Sequence, residues 1–191
     1  MKLETLLTEN RSIIVNRWLD RVLDSYPAGT HRFFKKQKNR FANPVGSTFS
    51  EEIDHLYMEL LQGIDSERTT PILDAIIRIR AVQDFSPSQA VGFIFLLKEL
   101  IREILETEIQ DNRLSDELTL FEAQIDELAL LAFEVYMRCR EKIYEIRAND
   151  MKNQVYKLLK RADLLYEIPE WKPVSKKGKI DELPVIHNET R

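Results

Sequence analysis

The chain has 191 residues, of which 43% are hydrophobic and 31% charged, which is the composition of a globular protein able to bury one substantial core. Its net charge of -4 provides no positive field to attract nucleic acid, and its 5 glycines disfavour the phosphate-binding loops of nucleotide enzymes. With one cysteine, no signal-peptide pattern and no run near ~18 uncharged apolar residues, the protein is expected to be cytoplasmic, without a membrane span.

The first part of the chain has the pattern of an amphipathic helix. Asn10 predicts the N-cap of a helix over residues 11–25, in which apolar residues recur every four positions around Trp18. Pro27 predicts the end of this helix, and a short helical turn is expected over residues 30–36.

Two further helix starts are each marked by a proline. Asn43 before Pro44 predicts a cap with proline at the first helical position, where the missing N–H costs nothing. Gly63 predicts the end of that helix. Thr70 before Pro71 repeats the start signal, so a short apolar helix is predicted to begin there.

A third start, at Ser86 and Pro87, introduces the most apolar segment. Ser86 and Gln89 match a capping box, in which each side chain bonds the main-chain N–H of the other residue. The segment from Ala90 to Leu97 has no charge, so its helix is expected to be buried on nearly every side at the centre of the fold.

Ser115 opens the longest predicted element, because neither glycine nor proline occurs between Ser115 and Tyr166. A continuous helix of ~50 residues would measure roughly 75 Å, whereas a compact domain of ~150 residues is about 40 Å across. We therefore expect the helix to project from the domain. Its apolar residues alternate at spacings of three and four, which predicts a homodimer seam along Leu118, Phe121, Ile125, Leu128, Ala132, Val135 and Cys139.

These patterns predict three segments in the chain. A helical domain is expected over residues 1–147, a continuation of its last helix over 148–166, and an extended, proline-containing tail over 167–191. Trp171 is unusual in such a tail, because exposing an indole to water is costly. We expect this tryptophan to dock on the domain or on another protein.

Candidate reactive groups are few, and none belongs to a recognisable catalytic set. No nucleotide-binding, zinc-binding or nucleophile motif occurs, so neither enzyme activity nor a cofactor or metal is predicted. Glu52 and His55 share a helix face at the spacing of di-iron bundles, but the other ligands of such a site are missing and a structural or solvent-facing histidine is favoured. Cys139 is interpreted as a packed, inert thiol in preference to a reactive one.

The remaining polar candidates are interpreted as contacts to a partner. The basic segment from His31 to Arg40 suits phosphate or an acidic partner, with a solvated turn as the favoured alternative. Two arginines before Asp84 suit an anion beside the Ser86 helix start, and the alternative is an ion pair with Asp84 that fixes the turn. The candidate interaction residues are Arg40, Asn43, Arg78, Arg80, Asp84, Ser86 and Gln89.

Two stretches, RFANPVGSTF (residues 40–49) and RIRAVQDFSPSQAVGFIFLLKELIREIL (residues 78–105), follow the Trp18 helix. Together with that helix they resemble the RsbRD N-terminal domain family, named for the stressosome co-antagonists of the kinase RsbT, across residues 8–145. The resemblance implies a globin-like helical domain without haem. It also implies a dimer with a sensory or interaction role in bacterial signalling or stress response.

The sequence departs from the full-length family pattern after the long helix. Residues 167–191 are too few for the STAS domain that carries the phosphorylation switch of the co-antagonists, so a stand-alone version is predicted. Its output would pass through the long helix, the tail or a separate protein. Stand-alone domains of this kind also resemble proteins of anaerobic bacteria, and the alternative role is that of an accessory protein to a respiratory electron-transfer complex.

Three classes of function follow, and the favoured one is a non-catalytic regulatory module with a protein partner. The second is a small-molecule or haem-binding sensor with a pocket beneath Phe49, Phe93 and Phe95. Haem is disfavoured because the helix from Pro71 to Gln83, which would supply the axial ligand in a globin-like fold, has no histidine. An enzyme is the third and weakest reading, since no nucleophile–base pair is identifiable.

Overall fold

The computed structural model describes residues 2–27, 34 and 41–162, and these residues are helical without any strand. The predicted all-α class and the long last helix are confirmed, while the globin-like arrangement stays a prediction. By its contacts the chain divides into residues 1–149 and residues 150–191. The helices are α1 Leu3–Glu9, α2 Arg11–Leu23, α3 Pro44–Gln62, α4 Ser66–Val82, α5 Pro87–Val91, α6 Leu96–Ile104, α7 Glu106–Asn112 and α8 Ser115–Arg161.

The first predicted helix is α2, and α1 precedes it as an element that the sequence pattern did not reveal. Asn10 lies between them at the predicted N-cap position of α2, but its side chain makes no capping hydrogen bond there. Its side-chain amide instead donates to the Leu6 carbonyl at 2.9 Å, at the end of α1. Trp18, at the middle of α2, is fully buried, stacks on the ring of Phe93 and donates from Nε1 to the Phe93 carbonyl at 2.7 Å. This bond ties α2 to the turn between α5 and α6.

The start of α3 confirms the predicted asparagine cap. Asn43 accepts a hydrogen bond from the Gly46 N–H at 2.9 Å and donates from its own amide to the Phe34 carbonyl at 2.9 Å. A Cβ on Gly46 would lie 2.3 Å from the Asn43 side chain, so only glycine fits against this cap. The helix ends at Gly63, which has a φ of 92° that favours glycine.

The predicted start of α4 at Thr70–Pro71 is wrong. The helix begins at Ser66, because the Asp65 carboxylate caps it by accepting from the main-chain N–H groups of Glu67 and Arg68. Pro71 therefore lies inside the helix, where it removes the bond that its N–H would have made to the Glu67 carbonyl. Both residues are exposed, so water can satisfy that carbonyl and the helix continues.

The predicted capping box of Ser86 and Gln89 is confirmed at the start of α5. The helix that follows is interrupted, since α5 stops at Val91 and α6 begins only at Leu96. Between them the chain turns more tightly, with main-chain bonds three residues apart such as Phe95 N–H to Gly92 O at 3.2 Å. Phe95 is consequently 46% exposed, which corrects the expectation that this whole segment is buried on nearly every side.

The helices of the first unit surround one apolar core. α2 packs against α3 and α6, α3 also packs on α4, and α5 lies against α4. Two tyrosines on α3 and α8 end in buried hydrogen bonds to main-chain oxygens: Tyr57 donates to Leu7 at 3.0 Å and Tyr136 to Phe85 at 2.7 Å. In the second unit, the described residues 150–162 complete α8 and its C-terminal turn and have exposed side chains.

Candidate interaction surfaces

The most unusual polar side chain is Arg80 on α4, which is 1% exposed. Its guanidinium carbon lies 4.7 Å from the centre of the Phe85 ring, 5.2 Å from that of Phe93 and 5.7 Å from that of Tyr26. One nitrogen, Nη2, donates to the Ser25 hydroxyl at 2.6 Å. The other two nitrogens, Nε and Nη1, have no hydrogen-bond partner within residues 2–27, 34 and 41–162. We call this arrangement of one cation and three rings the Arg80 cage.

The electrostatics of the Arg80 cage are unfavourable for a cation. Burial lowers the pKa of Arg80, but a guanidinium starts from so high a value that it stays charged. No carboxylate in the described part of the chain forms an ion pair with it. The Tyr26 hydroxyl is also buried without a hydrogen-bond partner among the described residues, and burial raises the pKa of this phenol. The cage therefore holds a charge and several polar atoms that no residue in the described part of the chain balances.

Neither Arg78 nor Arg80 forms the ion pair with Asp84 that is the alternative to anion binding. Arg78 is exposed and binds Asp74 one turn earlier on α4, whereas Arg80 faces the core. Ser86 and Gln89 are occupied by the capping box, and Asn43 by its own cap. Two other candidates lie outside the described residues. They are Trp171 and the basic segment from His31 to Arg40, including Arg40 itself but not Phe34.

Asp84 forms the predicted type of ion pair, but with arginines on α8. Its backbone has a φ of 58°, a left-handed conformation that aspartate tolerates better than most residues. Arg140 donates from Nη1 to the Asp84 carboxylate at 3.1 Å and to the Ala81 carbonyl at 3.2 Å, and Arg147 lies 3.8 Å from the same carboxylate. The turn after α4 is thereby held to α8 at two points, which we call the Asp84 clamp.

The predicted dimer seam requires a correction, because its residues face the core of their own chain. Six of the seven are at most 8% exposed and Cys139 is half-buried. The regular spacing of three and four marks the face by which α8 joins the core of its own chain, and the pattern could not tell an intramolecular neighbour from a second copy. The buried residues are Leu118, Phe121, Ile125, Leu128, Ala132 and Val135.

A second apolar row on α8 was missed by the sequence analysis. It consists of Leu130, Phe133, Met137 and Tyr144, which are between 40% and 69% exposed. Spacings of three, four and seven residues bring these side chains onto one helix face, away from the buried row. The pattern is visible in the sequence, but the longer and more regular buried row obscured it. We call these four residues the outer stripe.

The comparisons with known proteins identify a family. A family model described as the RsbT co-antagonist protein rsbRD N-terminal domain matches residues 13–151, which include the Arg80 cage, the Asp84 clamp and the outer stripe. The chain belongs to this family. This RsbRD N-terminal domain protein is also 24% identical over 147 residues to an uncharacterized protein of Archaeoglobus fulgidus, covering 74% of this chain and 84% of that one. No solved structure matches it.

Membership of the RsbRD N-terminal domain family implies a stressosome-related signalling or regulatory role. Among the residues that the structure describes, no helix is long and apolar enough to cross a bilayer, and no cluster of three or more metal-ligating side chains occurs. His55 lies at the surface with its Nδ1 3.2 Å from Glu52, and no further ligand joins this pair.

The thiol of this RsbRD N-terminal domain lies where its surroundings disfavour the thiolate form. Cys139 is half-buried on α8, and its sulfur lies 3.6 Å from the Asp74 carboxylate. Burial raises the pKa of the Cys139 thiol, and the negative charge of Asp74 raises it further. The thiolate, which is the reactive form, is therefore disfavoured.

Proposed function

We propose that this protein is a non-catalytic regulatory module that acts through protein–protein contacts and forms a homodimer. Its membership of the RsbRD N-terminal domain family supports the regulatory part of this proposal. The observation that carries the contact part is the outer stripe, since Leu130, Phe133 and Met137 lie at the spacing of a helix seam and are 40% to 69% exposed.

The energetics of the outer stripe favour its burial against a second copy. Fully burying an exposed leucine, methionine or phenylalanine side chain contributes about 1.5–3 kcal/mol of free energy to association. In a symmetric dimer this contribution arises once in each of the two copies. The same residues would meet across a two-fold axis in a parallel pair of α8 helices. An exposed apolar face can bind another protein but carries no reactive group for catalysis. We therefore propose protein contact, and not catalysis, as the function.

Sedimentation of the purified full chain tests the dimer. We expect a dimer at tens of micromolar and a monomer for the double variant Leu130→Glu, Met137→Glu, which puts like charges into the seam. Leu120→Glu is the matched control, because Leu120 is also on α8 and 71% exposed but lies outside the outer stripe. A wild-type monomer at that concentration, or equal disruption by Leu120→Glu, would contradict the proposal.

The second candidate is a sensor for a small anion, favoured by the two unpartnered guanidinium nitrogens of Arg80. The alternative pocket beneath three phenylalanines is less suited, because Phe95 points to solvent while Phe49 and Phe93 are buried. An anion that binds only the folded state raises its stability by mass action. We expect phosphate, nitrate or chloride to raise the unfolding midpoint of the wild type more than that of Arg80→Met, and equal shifts would reject this candidate.

Neither candidate bears on the accessory role in a respiratory electron-transfer complex, which stays a prediction. An absorption spectrum of the anaerobically purified protein addresses it together with the haem alternative, because a bound redox cofactor would be visible directly.

A further inference from the structure

A groove of about 840 Å³ runs between α4 and α8 on the first unit. Along α4 its wall extends from Pro71 to Val82, which spans about 16 Å at 1.5 Å per residue. The opposite wall is the part of α8 from Arg138 to Ile146. These dimensions suit two to three turns of a helix laid between the two walls.

The floor of the groove is apolar and open to solvent. Val82 on α4 is 63% exposed and Ile146 on α8 is 50% exposed, and Pro71 and Ile143 complete the apolar lining. Because Pro71 lies inside a helix, its ring presents a rigid apolar surface in place of a flexible side chain. The floor offers apolar contacts that no described residue covers.

The rim of the groove is positively charged. Three cations, Arg78, Arg138 and Lys142, line it together with a single acid, Asp74, which gives a local charge of 3 − 1 = +2 in a chain whose net charge is -4. Asp74 is already bound by Arg78, and Arg138 forms no ion pair with the described residues. The bond of Lys142 to Glu145 is between exposed groups and is therefore weak enough to exchange for another carboxylate.

We propose that this groove binds an acidic amphipathic helix of a partner protein. The apolar face of such a helix would lie on Val82 and Ile146, and its Asp or Glu side chains would meet Arg138 and Lys142 at the rim. A helix laid in a groove is a recurrent mode of recognition that uses anchors at positions i, i+3, i+4 and i+7. A membrane surface fits less well, since a concave site between two helices cannot insert its floor into lipid.

This inference goes beyond the dimer, because the groove and the outer stripe use different faces of α8. Met137 belongs to the stripe and Arg138 to the groove, and consecutive residues of a helix point about 100° apart. The dimer can therefore fail its test while the groove still binds, and the reverse also holds.

The test uses the full chain and a fluorescently labelled peptide with leucines at positions i, i+3, i+4 and i+7 and glutamates on both flanks. We expect saturable binding by fluorescence anisotropy. The double variant Arg138→Glu, Lys142→Glu should bind at least about tenfold more weakly. Lys152→Glu, Lys157→Glu is the matched control, because it changes the net charge equally on exposed residues outside the groove and should bind as the wild type does.

Reversing the charges on both the peptide and the protein tests whether the rim cations themselves bind the peptide. A peptide with lysines in place of the glutamates should bind the Arg138→Glu, Lys142→Glu variant better than the original peptide does. The single variant Val82→Glu, which places a charge on the exposed floor, should also weaken binding of the original peptide. Far-UV circular dichroism confirms that each variant remains folded.

Several results would overturn the proposal. Absence of saturable binding by the wild type, equal loss in both double variants, or no gain with the lysine peptide would each do so. Binding to anionic phosphatidylserine vesicles in place of the peptide would assign the groove to a lipid surface. Loss of self-association in the Arg138→Glu, Lys142→Glu variant would assign it to a second copy of the chain.

Discussion

Replacing Arg80 with methionine should make the protein more stable, although it removes three ring contacts and a hydrogen bond. Burying a charge without a counter-ion costs several kcal/mol even after relaxation. Against this, a hydrogen bond from a charged group contributes about 1.5–3 kcal/mol and each of the three desolvated cation–π contacts up to about 2 kcal/mol. Methionine regains about 0.3–1.5 kcal/mol per ring through sulfur–ring contacts. The Ser25 hydroxyl would keep a partner after the change, because it already donates to the Val22 carbonyl at 2.6 Å. We therefore expect Arg80→Met to gain about 1–3 kcal/mol.

Urea unfolding in a buffer of low salt, followed by far-UV circular dichroism, measures this gain. In thermal unfolding, a chain of this size gains about 2–4 °C for each kcal/mol. The matched control is Arg78→Met, two residues earlier on the exposed side of α4, whose ion pair with Asp74 should be worth no more than about 0.5 kcal/mol. A loss of more than about 2 kcal/mol in Arg80→Met would refute the reasoning, because it would show that the buried charge is balanced by a group that we have not identified.

Three further outcomes test the local structure. Pro71→Ala should stabilise the protein by about 1–3 kcal/mol in urea unfolding, since it restores an N–H that can bond to the Glu67 carbonyl inside α4, and a loss would mean that the proline ring is needed for packing. Ser86→Ala should cost about 1 kcal/mol in the same assay through loss of its cap, and an unchanged midpoint would contradict the capping box. At pH 8, where a raised pKa leaves less thiolate, Cys139 should react several-fold more slowly with iodoacetamide in the folded than in the urea-unfolded protein. Asp74→Asn should speed the folded-state reaction, and equal rates in folded and unfolded protein would show that Cys139 is not protected.

Helix starts could be predicted where the signal is local. The predicted caps Asn43 and Ser86 are both confirmed, because a cap depends on residues within one turn of it. The same rule fails at Pro71, since it weighs a proline start without comparing it with a competing acidic cap six residues earlier. Asp65 provides that cap, and the exposed side of α4 tolerates the proline.

The two rows on α8 show the limit of periodicity more clearly. The spacing of Leu118, Ile125 and their buried neighbours was read correctly as an apolar face, but periodicity does not identify what covers a face. In the sequence, an apolar row that packs on the core looks the same as an apolar row that faces solvent. Only burial separates the inner row from the outer stripe.

The surroundings of Arg80 could not be predicted from the sequence. Arg78 and Arg80 are separated by one residue and were treated as a pair, yet about 200° of helical rotation separates their directions. One faces water, and the other lies among Phe85 and Phe93, which follow it closely in the chain, and Tyr26, which precedes it by 54 residues. Tertiary packing brings Arg80 and the three rings together, so no local sequence pattern predicts this arrangement.

The Asp84 clamp makes α8 sensitive to the turn at the end of α4. Arg140 and Arg147 are seven residues apart, two turns of helix, yet both reach toward one carboxylate from either end of that span. A slide of α8 along its own axis in either direction would bring one arginine closer only by pulling the other away. Axial slippage of α8 is thus opposed in both directions by the two contacts to Asp84.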